Sequence, residues 1–106
     1  MGKKRGYVYI MSNSRRTVLY VGVTSDLEGR MRKHKTKFYT TSFSARYNVD
    51  RLVYIEEFDS IVDAIAREKQ LKAGPRWRKE KLINALNPNW DDLALSRLPT
   101  RVGISQ

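Results

Sequence analysis

Glu68 stands where a carboxylate is not expected. In VDAIAREKQLK, residues 62–72, steps of 100° per residue from Ile61 put Ala64, Ile65 and Leu71 on one side of a helix. Glu68 falls among them, within about 20° of Ile61. A carboxylate on a core-facing stripe is costly unless something compensates for it. Lys72, one turn further on, is an available partner. Two tyrosines, Tyr9 and Tyr20, lie in β-rich runs, and Arg30 and His34 lie one turn apart in a following amphipathic segment. Other chemistries are absent. A single His excludes a multi-His metal site, and the lack of Cys excludes disulfides and thiolate zinc. No phosphate-binding loop or dinucleotide fingerprint occurs, and no nucleophile elbow supports a Ser-His-Asp site.

Charge points to the partner. Twenty-one Lys+Arg face eleven Asp+Glu, a formal +10 in 106 residues. A chain this basic attracts polyanions, nucleic acid first, in a salt-dependent way. No apolar run approaches the roughly 18 residues of a membrane span, and the basic N-terminus is not followed by a signal-peptide pattern. The expectation is a cytoplasmic protein with no membrane partner.

The elements that must position these residues follow from local pattern. GYVYIM (6–11) and TVLYVGVT (17–24) read as strands joined by a polar turn. A loop at 13–16 would set Ser12 against Thr17 and Tyr9 against Tyr20. SDLEGRMRKHK (25–35) reads as a helix with a Ser25–Glu28 capping box, an apolar stripe of Leu27 and Met31, and Arg30 and His34 alongside. Residues 36–50 lack a period and read as irregular. RLVYIEEF (51–58) is a strand. Residues 59–73 form a helix capped by Ser60 and broken at Gly74-Pro75, and 76–86 form a very basic helix ended by Asn87-Pro88. Trp90 and Leu93 would pack back. The fold class is α+β, a small, mostly antiparallel three-stranded sheet flanked by helices in the order β-β-α-β-α-α. Residues 1–93 make one domain, and 94–106 are a loosely held tail.

The ordered set Tyr7-Val8-Tyr9, Tyr20-Val21-Gly22, Arg30 and His34 on a helix, and Glu68 in AIAREKQLK resembles the GIY-YIG nuclease superfamily. NPNWDDL resembles the small stand-alone bacterial members. The resemblance covers about residues 6–93, and Tyr7 replaces the first glycine of the family pattern. It implies hydrolysis of DNA phosphodiester bonds assisted by one divalent ion, Mg²⁺ or Mn²⁺. By the same resemblance the catalytic set is Tyr9, Tyr20, Arg30, His34, Glu68 and Asn87, with Glu68 the metal ligand. Arg30 would clamp a phosphate through its planar fork. Tyr9 matches the proposed proton acceptor, a role for which nearby positive charge must lower an ordinary phenol pKa of about 10. Tyr20 and His34 would position groups or relay protons.

Each residue also has a structural reading: Tyr9 and Tyr20 as a packed cross-strand pair, His34 as a core-edge residue, Arg30 paired with Asp26, Glu68 paired with Lys72. Their joint occurrence in family order favours chemistry. Two basic patches support binding: Arg32, Lys33, Lys35 and Lys37, then Lys69, Lys72, Arg76, Arg78, Lys79 and Lys81, with Phe38, Tyr39, Phe43, Tyr47 and Trp77 interleaved. The expected partner is DNA, branched or single-stranded included, with RNA as a second candidate and a protein as a targeting partner. Recognition would be of backbone or shape. The competing function is a nuclease-fold binding module or adaptor without turnover.

Overall fold

Alternate residues of GYVYIMS serve two different cores. In the computed structural model this segment is β1, Gly6–Ser12, the central strand of a sheet ordered β2-β1-β3 with both pairings antiparallel. β2 is Leu19–Thr24 and β3 is Arg51–Phe58. The helices are α1 (Leu27–Lys35), α2 (Ile61–Ala73) and α3 (Arg76–Leu86), followed by a 3₁₀ turn at Leu93–Leu95. The fold is therefore α+β with the expected order of elements. Residues 5–35 and 47–95 are described, and of His34, Lys35 and Leu95 only the backbone. Lys37, Phe38, Tyr39, Phe43 and the chain beyond residue 95 lie outside the described residues. Among the described residues, no helix is long and apolar enough to cross a membrane.

Strand alternation sends successive side chains to opposite faces. Val8 and Ile10 join Val21, Tyr54, Ala64, Leu71, Ile83 and Trp90 in a core under α2 and α3. Tyr9 and Met11 join Leu27, Met31, Val49, Leu52 and Leu93 in a core under α1. Trp90 and Leu93 thus pack back as the sequence predicts, one into each core. A bulge between Ile10 and Met11 sets Tyr54 and Leu52 opposite them, so the intervening Val53 joins the α2 side. α2 crosses β1 closely at Gly6, where an added Cβ would lie 2.6 Å from Ala64 Cβ and 2.8 Å from Ile61 Cα.

The hairpin register differs from the expected one by two residues. Ser12 pairs with Leu19, Met11 with Tyr20 and Tyr9 with Gly22. The cause is Asn13, which holds Thr17 and Val18 in the loop. Its Oδ1 accepts from Thr17 N at 2.9 Å and Val18 N at 3.0 Å, and its Nδ2 donates to Thr17 Oγ1 at 2.7 Å. Arg16 takes a left-handed φ of 61° to close the turn. A shift of two preserves the faces, so Tyr9 and Tyr20 still share one side.

Helix starts follow the short polar residues. Ser60 caps α2, accepting from Val62 N at 3.1 Å. The α1 cap is Asp26, not the expected Ser25: its Oδ1 accepts from Gly29 N at 3.1 Å. Thr24 holds Asp26 in turn, accepting from Asp26 N at 3.0 Å and donating to Asp26 O at 3.2 Å.

Candidate active site

Tyr9 lies at the middle of the α1 face and is 0 % exposed. Its phenol extends over Gly22 of the edge strand β2, where a Cβ would come within 2.4 Å of Tyr9 Oη. Only glycine leaves that space. Tyr20, partly buried on the same face, brings its ring centroid to 6.3 Å from that of Tyr9 at an interplanar angle of 44°. The Asp26 cap fixes the start of α1, and one turn later Arg30 Nη1 donates to Tyr9 Oη at 3.4 Å. Two phenols and a guanidinium therefore meet beside β2.

This environment raises the Tyr9 pKa. Burial pushes the phenol well above its ordinary 10.0, the neighbouring Tyr20 adds to the rise, and Arg30 opposes it by charge and hydrogen bond without overcoming it. The sequence called for positive charge to lower this pKa. In the protein alone, desolvation wins, and Tyr9 is a neutral phenol across the physiological range.

A cavity of about 490 Å³ opens next to Arg30, lined by Thr24, Ser25, Asp26, Gly29, Arg30, Arg32 and Lys33. Three of these side chains are cationic. Arg32 lies 3.9 Å from Glu28, one turn back on α1.

Glu68 is placed differently from the trio. It is 9 % exposed on α2, whose Ala64 and Leu71 pack on the opposite sheet face to Tyr9. Its Oε2 pairs with Lys72 Nζ at 2.6 Å, which answers the desolvation of this carboxylate. α2 lies over β1 and β2 more than over β3. Among the described residues, no three His, Cys, Asp or Glu side chains gather as a multidentate metal site. Glu68 alone fits a hard divalent ion, since Mg²⁺ keeps most of its waters and takes one or two carboxylates plus substrate phosphates. The Lys72 ammonium is the cation that this oxygen holds in the protein alone.

Comparison with known proteins gives the family. The GIY-YIG catalytic domain model matches residues 5–81. The chain belongs to the GIY-YIG family. It is 34% identical over 79 residues to a UPF0213 protein of Syntrophus aciditrophicus, covering 74% of this chain and 90% of that one. A UPF0213 protein of Natronomonas pharaonis is 36% identical over 77 residues, covering 73% and 88%. The solution NMR structure of a UPF0213 protein from Bacillus halodurans superposes with a TM-score of 0.53 at 26% identity, covering 91% of this chain and 98% of that one. The UPF0213 name specifies no reaction.

Within the GIY-YIG pattern, the sequence leaves unstated why the second tripeptide ends in glycine. Gly22 makes room for the Tyr9 phenol, and the register that reveals it depends on Asn13. Asn87 is occupied elsewhere. Its Nδ2 donates to Val53 O at 3.2 Å and Asp91 O at 2.8 Å, and its Oδ1 accepts from Asp91 N at 3.1 Å. Both amide hydrogens are thus used inside the protein. His34 lies on α1 one turn after Arg30, its side chain outside the described residues, as is that of Lys35.

Several basic residues hold backbone or ring partners. Arg76, expected to bind nucleic acid, braces the hairpin loop: Nη2 donates to Arg16 O at 2.6 Å, Nη1 to Thr17 O at 3.0 Å, and Nε to Glu80 Oε2 at 2.6 Å. Lys79 Nζ donates to Gly74 O at 2.9 Å and closes the α2–α3 elbow. Arg16 donates to Asn89 O at 3.0 Å and sits 5.4 Å over the Trp90 ring. Lys33, Lys69, Lys72, Arg78 and Lys81 are solvent-exposed.

Proposed function

We propose that the protein is an endonuclease that hydrolyses phosphodiester bonds in DNA with the help of a divalent ion, reading backbone or shape. The observation that carries this is Arg30 bonding Tyr9, itself packed beside Tyr20, while Arg30 also lines a cationic cavity, in a chain of the GIY-YIG family. Phosphodiester cleavage needs a positioned water, charge on the non-bridging oxygens and help for the leaving oxygen. Arg30 supplies fixed charge to the phosphate, its plane steadied by the bond to Tyr9. Tyr9, buried and neutral, holds Arg30 in place and is not the base in the protein alone. Tyr20, the more exposed phenol, is the one able to touch the attacking water. Glu68 would hold Mg²⁺ or Mn²⁺, which when bound supplies Lewis-acid charge at the phosphate. Arg32 and Lys33 guide the backbone towards Arg30.

A second reading, a DNA- or RNA-binding module without turnover, is favoured by one observation: the Glu68 carboxylate is already neutralised by Lys72. Branched, single-stranded and duplex DNA incubated with the protein and Mn²⁺ or Mg²⁺ separate the two. We expect nicking that EDTA stops, that Glu68→Gln abolishes and that Arg30→Ala greatly weakens, while binding persists. Tight, salt-sensitive binding with no cleavage under any of these conditions supports the module.

A further inference from the structure

Trp77 is a large aromatic side chain left mostly exposed. The chain contains two Trp. Trp90 is 5 % exposed, donates from Nε1 to Asn84 Oδ1 at 2.7 Å and lies under Arg16. Trp77 is 59 % exposed in the first turn of α3, a helix whose buried contact is Ile83. The Arg78 guanidinium lies 5.4 Å from the Trp77 ring centroid, and the Arg78 stem runs back over the elbow, its Cδ 3.8 Å from where a Gly74 Cβ would stand. A cation against one side of an indole steadies the ring and leaves a flat apolar surface for another planar group.

The surroundings select that group. Lys81, one turn beyond Trp77, is exposed, as is Arg78, in a chain of formal charge +10. Positive charge interleaved with an exposed aromatic face is the combination that holds single-stranded nucleic acid, backbone on the cations and base on the ring. Duplex bases are already stacked on their neighbours and cannot offer a face. The platform is also tied to the active site. Arg76, the residue before Trp77, grips the Arg16 and Thr17 carbonyls of the loop that leads into β2 and Tyr20.

We propose that Trp77, steadied by Arg78, is a stacking platform for an unpaired base, so that the protein engages DNA where a single strand is exposed. This rests on the nucleic-acid part of the functional reading and not on turnover. The test is equilibrium binding in EDTA, which prevents metal-assisted cleavage, of a short oligo-dT and of a duplex of equal length. Intrinsic fluorescence serves as one readout, since Trp77 is the exposed indole.

We expect oligo-dT to quench the fluorescence and the duplex to do so far less. Trp77→Ala should lose the quenching and weaken oligo-dT binding by about tenfold, with duplex affinity within about twofold of wild type. Trp77→Phe should keep most of the affinity, and Trp77→Leu, which keeps bulk without a π-face, should behave as Trp77→Ala. Unchanged oligo-dT affinity in Trp77→Ala and Trp77→Leu overturns the platform, as does an equal loss on both DNAs. No binding of either DNA by the wild type overturns the platform and the nucleic-acid reading together. Trp77-dependent binding without cleavage in Mn²⁺ overturns the nuclease reading alone.

Discussion

Tyr9 and Gly22 act as a matched pair. The phenol needs the space that Gly22 leaves, and Arg30 needs the phenol. Gly22→Ala would set a methyl group 2.4 Å from Tyr9 Oη. We expect it to destabilise the protein by about 1–3 kcal/mol and to lower cleavage more than stability explains, because Tyr9 must move away from Arg30. Thermal melts and single-turnover rates below the melting range check this together. The Tyr9 phenol also predicts a pH effect. Its folded pKa is raised above the ordinary 10.0 of the unfolded chain, chiefly by burial, and burial raises Tyr54 in the same direction. Stability is therefore fully present below the unfolded value and falls as pH climbs above it, because folding must keep these protons on. Urea unfolding from about pH 9 to about pH 11 should show this loss, and Tyr9→Phe should make it shallower.

Asn87, which the family resemblance places in the catalytic set, is also a tie between elements. Its amide ties the end of α3 to β3 and to the turn before the 3₁₀ segment. Asn87→Ala should cost about 1–3 kcal/mol by leaving buried backbone groups without partners, and cleavage should fall only in step with folding. Full stability with abolished cleavage would instead make Asn87 catalytic. The elements themselves were legible because each carries a local signal: Ser60 before the α2 stripe, Gly74-Pro75 between helices, alternation in β1. The register was not, because it depends on Asn13 drawing Thr17 and Val18 into the loop, a contact that composition does not announce. The same limit applies to Arg76. A basic residue on a basic helix reads as a phosphate ligand, whereas its geometry serves the Arg16 and Thr17 carbonyls. Arg76→Ala should therefore loosen the hairpin, seen as faster amide exchange at Thr17 to Tyr20, before it alters DNA affinity.

The molecule as a whole brings Tyr9, Tyr20 and Arg30 together on the α1 side of the sheet and sets Glu68 on α2, which packs on the other face. The central claim is that both serve one phosphate. Periodicity in the sequence marks Glu68 as a misplaced charge, and the structure adds that Lys72 offsets it. Residues that act as a unit give non-additive losses when removed together. The deciding measurement is the single-turnover rate of DNA cleavage in Mn²⁺ for wild type, Arg30→Ala, Glu68→Gln and the double variant, each verified as folded. We expect a loss of about a thousandfold or more for Glu68→Gln, and a double variant no slower than the worse single one. Cleavage by Glu68→Gln at the wild-type rate would contradict the central claim.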